Sequence, residues 1–294
     1  MIRRLAALCG GPAGLIGACL VLLIVAGGLA APLVAPYDPL QVDMTAVLED
    51  PSAAHPFGTD QSGRDVLSRV IWGGRASLEV SALAVVIGTF GGITLGLLAG
   101  FFNGGWLEQL LMRVLDAMAA IPLLIWAIAL VGILGVGPFT IAGIPFGNEV
   151  KLLALLGLLY IPTLARIVHA TALGEVRGNY VAARRLQGVG GLRIMLSDVL
   201  PNCLSPVIVQ ATLLLAIGII IEASVSFVGL GVQPPQPSWG NMLADARDYL
   251  FSGEWWLSVF PGAAISLSVI AFNLLGDGLR DVLDPRHTAQ ALTA

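Results

Sequence analysis

The residues able to do acid–base, nucleophilic or metal chemistry are few and far apart. His55, His169 and His287 fall in different segments, and no Ser/His/Asp set or histidine-rich metal pattern converges on a helix face. Cys9, Cys19 and Cys203 have neither zinc-ligand spacing nor the pattern of a disulfide framework, and read as small apolar residues. The one lysine, Lys151, stands in Glu149-Val-Lys-Leu, so the Gly-Lys-Ser/Thr of a phosphate-cradling loop is missing. No catalytic residue and no metal site is expected in this chain. Two charges matter more. Glu222 and Arg166 lie inside apolar runs, where an ionisable residue is a functional candidate by default. Glu222, late in its run, is the candidate for bordering a solute path. A buried pair, or a polar contact to a partner, is the alternative for both.

The setting of these residues is a membrane. Hydrophobic residues make up 56% of the 294 and charged residues 12%, against about 25% charged in soluble domains. Such a chain cannot cover a water-exposed surface, so the bilayer is its solvent. The net charge of −4 shows no nucleic-acid-type basic patch. Met1-Ile-Arg-Arg4 followed by Ala13–Val34 looks somewhat like a secretory signal, but the apolar run exceeds an h-region of ~7–15 residues and reads as a retained helix. Further runs are Val80–Phe102, about Leu107–Leu134, about Leu152–Leu173, about Leu204–Gly229 and Trp256–Gly276. Each is near the ~20 residues a span requires. The fold class is therefore an all-α polytopic membrane protein of about six transmembrane helices.

An even number of spans puts both termini on one side. Arg3, Arg4, Arg113, Arg166, Arg177, Arg184, Arg185, Arg193, Arg280 and Arg286 would share the side of the termini. Arg64, Arg69, Arg75, Lys151 and Arg247 would lie opposite. The excess of positive charge predicts cytoplasmic termini. The chain divides into residues 1–54, a first helix and the start of an outer loop; residues 55–286, a core of five further helices; and a cytoplasmic tail, 287–294. The first outer loop is expected from Ala35 to about Ser77, and a second from Gln233 to Trp255. Trp255 and Trp256 are expected to anchor the outer end of the last helix at the membrane interface. Gly88, Gly91, Gly92, Gly96 and Gly100 allow close helix approach, either within the bundle or against a second subunit.

Between the fourth and fifth runs lies a long polar stretch, Thr171 to Pro201. It reads as two short helices. Asn179 caps the first, Tyr180–Gln187, and Gly188 supplies a left-handed stop. The second, Leu192–Leu200, carries Leu192, Met195, Leu196 and Val199 as an amphipathic stripe, after which Pro201 ends it or starts the next helix. A thin helix with Ala182 and Ala183 suits insertion into a groove on another protein; a loop on the bilayer surface is the plainer alternative.

Tyr180-Val-Ala-Ala-Arg-Arg-Leu-Gln-Gly188, with Leu192-Arg-Ile194 and Val199-Leu-Pro-Asn202, resembles the coupling-helix motif of ABC importer permeases. The usual form is Glu-Ala-Ala, three residues, Gly, nine residues, Ile, one residue, Leu-Pro. Ala183, Gly188, Leu200 and Pro201 match it. Ala182 stands where Glu is usual, Arg184 where the second Ala is usual, and Asp198 where Ile is usual. Other blocks resemble the second (C-type) permease of the dipeptide/oligopeptide/nickel group: His55-Pro-Phe-Gly-Thr-Asp60, Gly63-Arg-Asp-Val-Leu-Ser-Arg69, Gly74-Arg-Ala-Ser-Leu78, Glu222-Ala-Ser-Val-Ser-Phe-Val-Gly-Leu-Gly231, Pro237-Ser-Trp-Gly-Asn-Met242, and Phe272-Asn-Leu-Leu-Gly-Asp-Gly-Leu-Arg-Asp281 with Asp284-Pro285. The resemblance runs from His55 to Arg286.

That resemblance implies a type I importer (MetI-like) permease fold in the cell membrane. It implies four partners besides the bilayer: a second permease, two ATP-binding subunits that hold ATP and magnesium, and an extracytoplasmic binding protein. It assigns ATPase coupling to segment 175–201, with Tyr180, Ala182, Ala183, Arg184, Arg185, Gly188, Leu200 and Pro201. It makes Gly58, Thr59, Asp60, Arg64, Asp65 and Trp239 the docking candidates for the binding protein. With no acidic residue at Ala182, Arg184 and Arg185 become first candidates to hold the ATPase. Peptides are the implied cargo, with nickel or another small solute as the alternative. An ion-coupled transporter working alone is the reading from a different class.

Overall fold

Glycines at every fourth position share one helix face and let a neighbouring backbone come close. In the computed structural model, which describes residues 9–135, 137, 139–141 and 144–283, the stripe belongs to α3 (Val66–Phe101) and lies on α6 (Asn148–Val176). A Cβ on Gly88 would collide with Tyr160, one on Gly96 with Ala165; one on Gly92 would sit 2.5 Å from the Leu164 Cβ and one on Gly100 2.7 Å from the Ala172 Cβ. The contacts ascend together along both helices, so α3 and α6 run parallel. The glycine stripe is thus used up inside this chain. Gly92→Leu is expected to force α3 and α6 apart and to cut the yield of folded, monodisperse protein several-fold, read by size-exclusion chromatography of a fluorescent fusion.

Parallel neighbours require the chain between them to cross back. It does so in two pieces, α4 (Trp106–Ala120) and α5 (Leu123–Leu134), bent by 88° at the break. The single helix expected over Leu107–Leu134 is corrected here. Pro122 removes an N–H and pushes Ile121 into extended backbone, ψ 124°. Two polar contacts hold α4 to α6, the His169 Nε2–Glu108 Oε1 hydrogen bond and the Arg166–Asp116 Oδ1 ion pair, both at 2.7 Å. At the other end of the crossing, Lys151 Nζ donates to the carbonyls of Gly135 and Gly137. The helical fold is interrupted there by a short antiparallel hairpin, β1 (Phe139–Ile141) and β2 (Ile144–Phe146).

α1 (Pro12–Leu29) is prolonged by the short α2 (Ala31–Val34). It packs antiparallel on α11 (Trp256–Leu283), Gly14 against Gly278 and Gly17 against Leu274. α9 (Leu200–Phe227) touches α3, α6 and α11. Five helices are long and apolar enough to cross a membrane, or six if the bent pair α4–α5 counts as one span. Arg3, Arg4, Pro138, Asp284-Pro285, Arg286, His287 and the 287–294 tail lie outside the described residues.

The first outer loop is shorter than expected. α3 starts at Val66, not Val80, and at ~1.5 Å per residue its 36 residues extend about 54 Å, well past a ~30 Å hydrocarbon core. Asp65 caps it, accepting from the Ser68 N–H at 2.8 Å. Arg69 looked like a loop residue because it is charged. In the structure it is buried on the helix and paired with Asp60 at 3.3 Å and Asp245 at 3.9 Å. The loop 35–65 folds with α10 (Trp239–Ala246) into a polar cap on this end of the bundle. Trp256, expected at the membrane interface, is 3% exposed and donates to the Thr59 carbonyl at 3.1 Å, while Trp255 stays exposed.

Candidate functional site

The segment expected to couple to an ATPase is built from α7 (Asn179–Leu186), α8 (Gly191–Ile194) and a π-helical turn, Met195–Val199, that runs straight into α9. Gly178, not Asn179, is the N-cap of α7, with no side-chain hydrogen bond. Gly188 does take the left-handed conformation, φ 76°, and its N–H donates to the Arg185 carbonyl at 3.0 Å. Pro201 ends nothing. It sits in the first turn of α9, where a missing N–H costs little.

Burial divides the segment into two surfaces. Val181, Ile194 and Val199 are fully buried and join the main core with Ala172, Val176 and Cys203 from α6 and α9. Ala182, Ala183, Arg185, Leu186, Gly188, Leu192 and Leu196 face outward, Leu186 with 91% of its surface open. The expected stripe is thus split. Met195 and Val199 turn inward, while Leu192 and Leu196 stay exposed, because the π turn shifts the register of the faces. A load on the exposed side must therefore act on side chains locked into the bundle core.

A polar network ties the same segment to the helices on either side. The Glu175 carboxylate, in the last turn of α6, accepts from the Tyr180 hydroxyl and from Asn202 Nδ2, the latter at 3.0 Å. Asn202 also donates to the Asp198 carbonyl at 3.2 Å. Burial, then the Glu175 carboxylate that accepts its proton, holds the Tyr180 phenol above its ordinary value. Arg184 Nε lies 3.3 Å from Asp198 Oδ2. Arg185 lies over the Phe101 ring, 5.9 Å from its centroid. Of the two arginines expected to reach outward, Arg184 is paired within the chain, while Arg185 stays exposed beside the Phe101 ring. Glu175, Asn202 and the Arg184–Asp198 pair escaped the sequence reading. The signal was there: the positions that depart from the motif carry opposite charges.

At the far end, the docking candidates Gly58, Thr59, Asp60, Arg64, Asp65 and Trp239 prove to be buried. Asp60 takes Arg64 Nε at 2.7 Å, Asp65 takes His55 Nδ1 at 3.0 Å, and Trp239 Nε1 donates to the Val70 carbonyl at 2.8 Å. Their side chains are spent on bonds within the cap. Burial pushes the Asp245 carboxyl above the ordinary range, and Arg69 beside it pulls it back. Glu222 is likewise closed off. It is fully buried, its oxygens accepting from Ser77 at 2.6 Å and Ser226 at 2.7 Å, with Ser238 a further donor. It stands where α3, α9 and α10 meet.

Residues 92–288 match the family described as the binding-protein-dependent transport system inner membrane component. The chain belongs to this family. The matched stretch contains the whole coupling segment and its split between buried and exposed faces. This permease is 47% identical over 276 residues to the di/tripeptide transport system permease protein DppC of Pseudomonas aeruginosa, covering 92% of this chain and 87% of that one. It is 43% identical over 283 residues to the dipeptide transport system permease protein DppC of Escherichia coli K12, covering 94% and 89%. The counterpart in Alkalihalophilus pseudofirmus is 37% identical over 272 residues, covering 92% and 85%. The permease is a multi-pass membrane protein and a transport subunit. Beside its coupling segment opens a cleft of about 700 Å³, whose polar lining comes from Glu175, Asn202, Ser205, Gln210, Asp277 and Arg280.

Proposed function

We propose that this permease forms, with a second homologous permease, the membrane path of an ATP-driven importer for di- and tripeptides. Two separate ATPase subunits bind ATP and magnesium, and this chain hydrolyses nothing. A loaded extracytoplasmic protein delivers the peptide to the polar cap, and the termini and coupling segment lie in the cytoplasm. The observation that carries the reading is the coupling segment itself: exposed Ala182, Ala183 and Leu186 on one side, core-locked Val181, Ile194 and Val199 on the other. Closure of the ATPases on ATP supplies the differential affinity that shifts the inward- and outward-facing populations. Force on α7 reaches α6 and α9 through the Glu175–Tyr180–Asn202 network. The cleft beside Glu175, Asp277 and Arg280 then serves as the inner mouth, its charges of both signs suited to a zwitterionic peptide. The peptide cargo is supported by the names of the three relatives.

The test is co-purification followed by reconstitution. The tagged permease is expected to bring down a second permease and ATPase subunits, and vesicles holding the complex with its binding protein are expected to accumulate a labelled dipeptide only with ATP inside. A chain that purifies alone and takes up solute on an ion gradient would overturn the reading.

A further inference from the structure

Arg75 poses a separate problem. Its Cα lies beside Gly28, near the end of α1, and a Cβ added there would meet it at 3.4 Å. Gly14, at the other end of α1, packs on Gly278, so the Arg75 level is about 21 Å further along the span at ~1.5 Å per residue. The exposed apolar side chains of Leu29 and Leu33, 70% and 89% open, continue the lipid-facing surface to this level and past it. Arg75 is therefore a half-buried guanidinium at the shoulder of the apolar belt. Such a charge is retained where it finds an anion or reaches the interface. Among the described residues no carboxylate pairs with it; its recorded contact is the Trp72 ring, 5.8 Å from the guanidinium carbon. Glu79, one turn along the same face of α3 and exposed, likewise has no ion-pair partner among the described residues.

Two cavities meet at these two residues. One, about 150 Å³, is lined by Trp72, Ala76, Gln236 and Pro237 as well as Arg75 and Glu79. The other, about 290 Å³, is nearly all apolar, with Val25, Leu29, Leu78, Ala82, Leu215 and Phe272 around the same Arg75 and Glu79. We propose that Arg75, Glu79 and the two adjoining cavities bind one zwitterionic aminophospholipid of the bilayer. The phosphate sits on the Arg75 guanidinium, the ammonium on the Glu79 carboxylate, and an acyl chain fills the apolar cavity between α1, α3, α9 and α11. The ligand class follows from the parts: along α3 an indole of the interfacial kind, then a cation, then an anion one helical turn further on, all beside an apolar pocket opening between membrane helices. A peptide would satisfy the charges but not the dry pocket, and a fatty acid would leave Glu79 without a counter-ion.

The test uses the intact transporter complex in detergent and native mass spectrometry. It is titrated with phosphatidylethanolamine or phosphatidylglycerol at fixed chain length. The wild type is expected to hold one phosphatidylethanolamine more tightly than phosphatidylglycerol. Arg75→Gln should weaken both lipids by about tenfold, the scale of one charge-assisted contact. Glu79→Gln should remove the preference for the amine headgroup while sparing phosphatidylglycerol. Ala82→Trp, which fills the apolar cavity and leaves both charges in place, should displace the lipid from a complex that still assembles. Equal retention by wild type, Arg75→Gln and Ala82→Trp would overturn the proposal, as would a wild-type complex that keeps neither lipid because its partner permease covers the pocket. Peptide uptake is not the readout, so failure here is separable from failure of the importer reading.

Discussion

Replacing Gly188 by proline in the assembled transporter is expected to leave docking of the binding protein unchanged and to lower peptide-stimulated ATP hydrolysis and uptake by about tenfold or more, the effect of ~1.4 kcal/mol on a rate. Gly188 holds φ 76° and donates to the Arg185 carbonyl. Proline fixes φ near −65° and has no N–H, so the turn cannot survive as built. The site is open, with nothing within 4 Å of a Cβ added there, so the penalty is one of backbone conformation and not of crowding. Gly188→Ala isolates the left-handed cost, about 1–2 kcal/mol, and should lose less. What the proline variant displaces is the exposed edge of α7 relative to Val181 and Ile194, the side chains that lock it to the core. Basal ATP hydrolysis by the partner subunits should persist, since no ATP-binding group lies here. Normal peptide-stimulated hydrolysis by Gly188→Pro would show that the turn does not carry the coupling.

The same segment shows what a single sequence reveals and what it hides. Gly188 was legible because one residue type meets one backbone need. The spans were legible because uncharged runs of ~20 residues have few other uses. The start of α3 was hidden because Arg69 looks like a loop residue until Asp60 and Asp245, close in space, neutralise it. The burial of the docking candidates was hidden for the same reason. Thr59, Asp60, Arg64 and Asp65 came from the family resemblance, and a motif does not reveal exposure; in the structure they bond to one another and to the chain around them, and are buried. Pro122 marked a break, but only the fold reveals that the chain bends there by 88°. The Arg184–Asp198 pair could have been inferred from two opposite charges replacing two uncharged residues of a familiar motif. As a half-exposed pair it stabilises by about 0–1 kcal/mol, so its contribution is to orient α7 and not to hold the fold.

Glu222 separates a path residue from a structural one. Its enclosure by Ser77 and Ser226, with Ser238 beyond, points to a brace joining α3, α9 and α10. Glu222→Gln preserves the shape, keeps one carbonyl acceptor and adds donors that serine oxygens can accept. It is expected to retain peptide uptake within about twofold and thermal stability within a few degrees, roughly 1 kcal/mol or less on a protein of this size. Glu222→Leu has nearly the same volume and no acceptor. It strands the Ser77 and Ser226 hydroxyls in the core, at about 1–3 kcal/mol for each group left unsatisfied. Ser226 also accepts from the Val232 N–H at 3.2 Å, so its loss of order loosens the turn into α10. The leucine variant is therefore expected to lose most of its folded yield, measured by thermal-shift chromatography in detergent, and its uptake in proportion. The informative result is the split between the two. If Glu222→Gln abolished uptake while melting like the wild type, the charge itself would be used in transport, and the enclosure seen here would be one state of a path that opens around it.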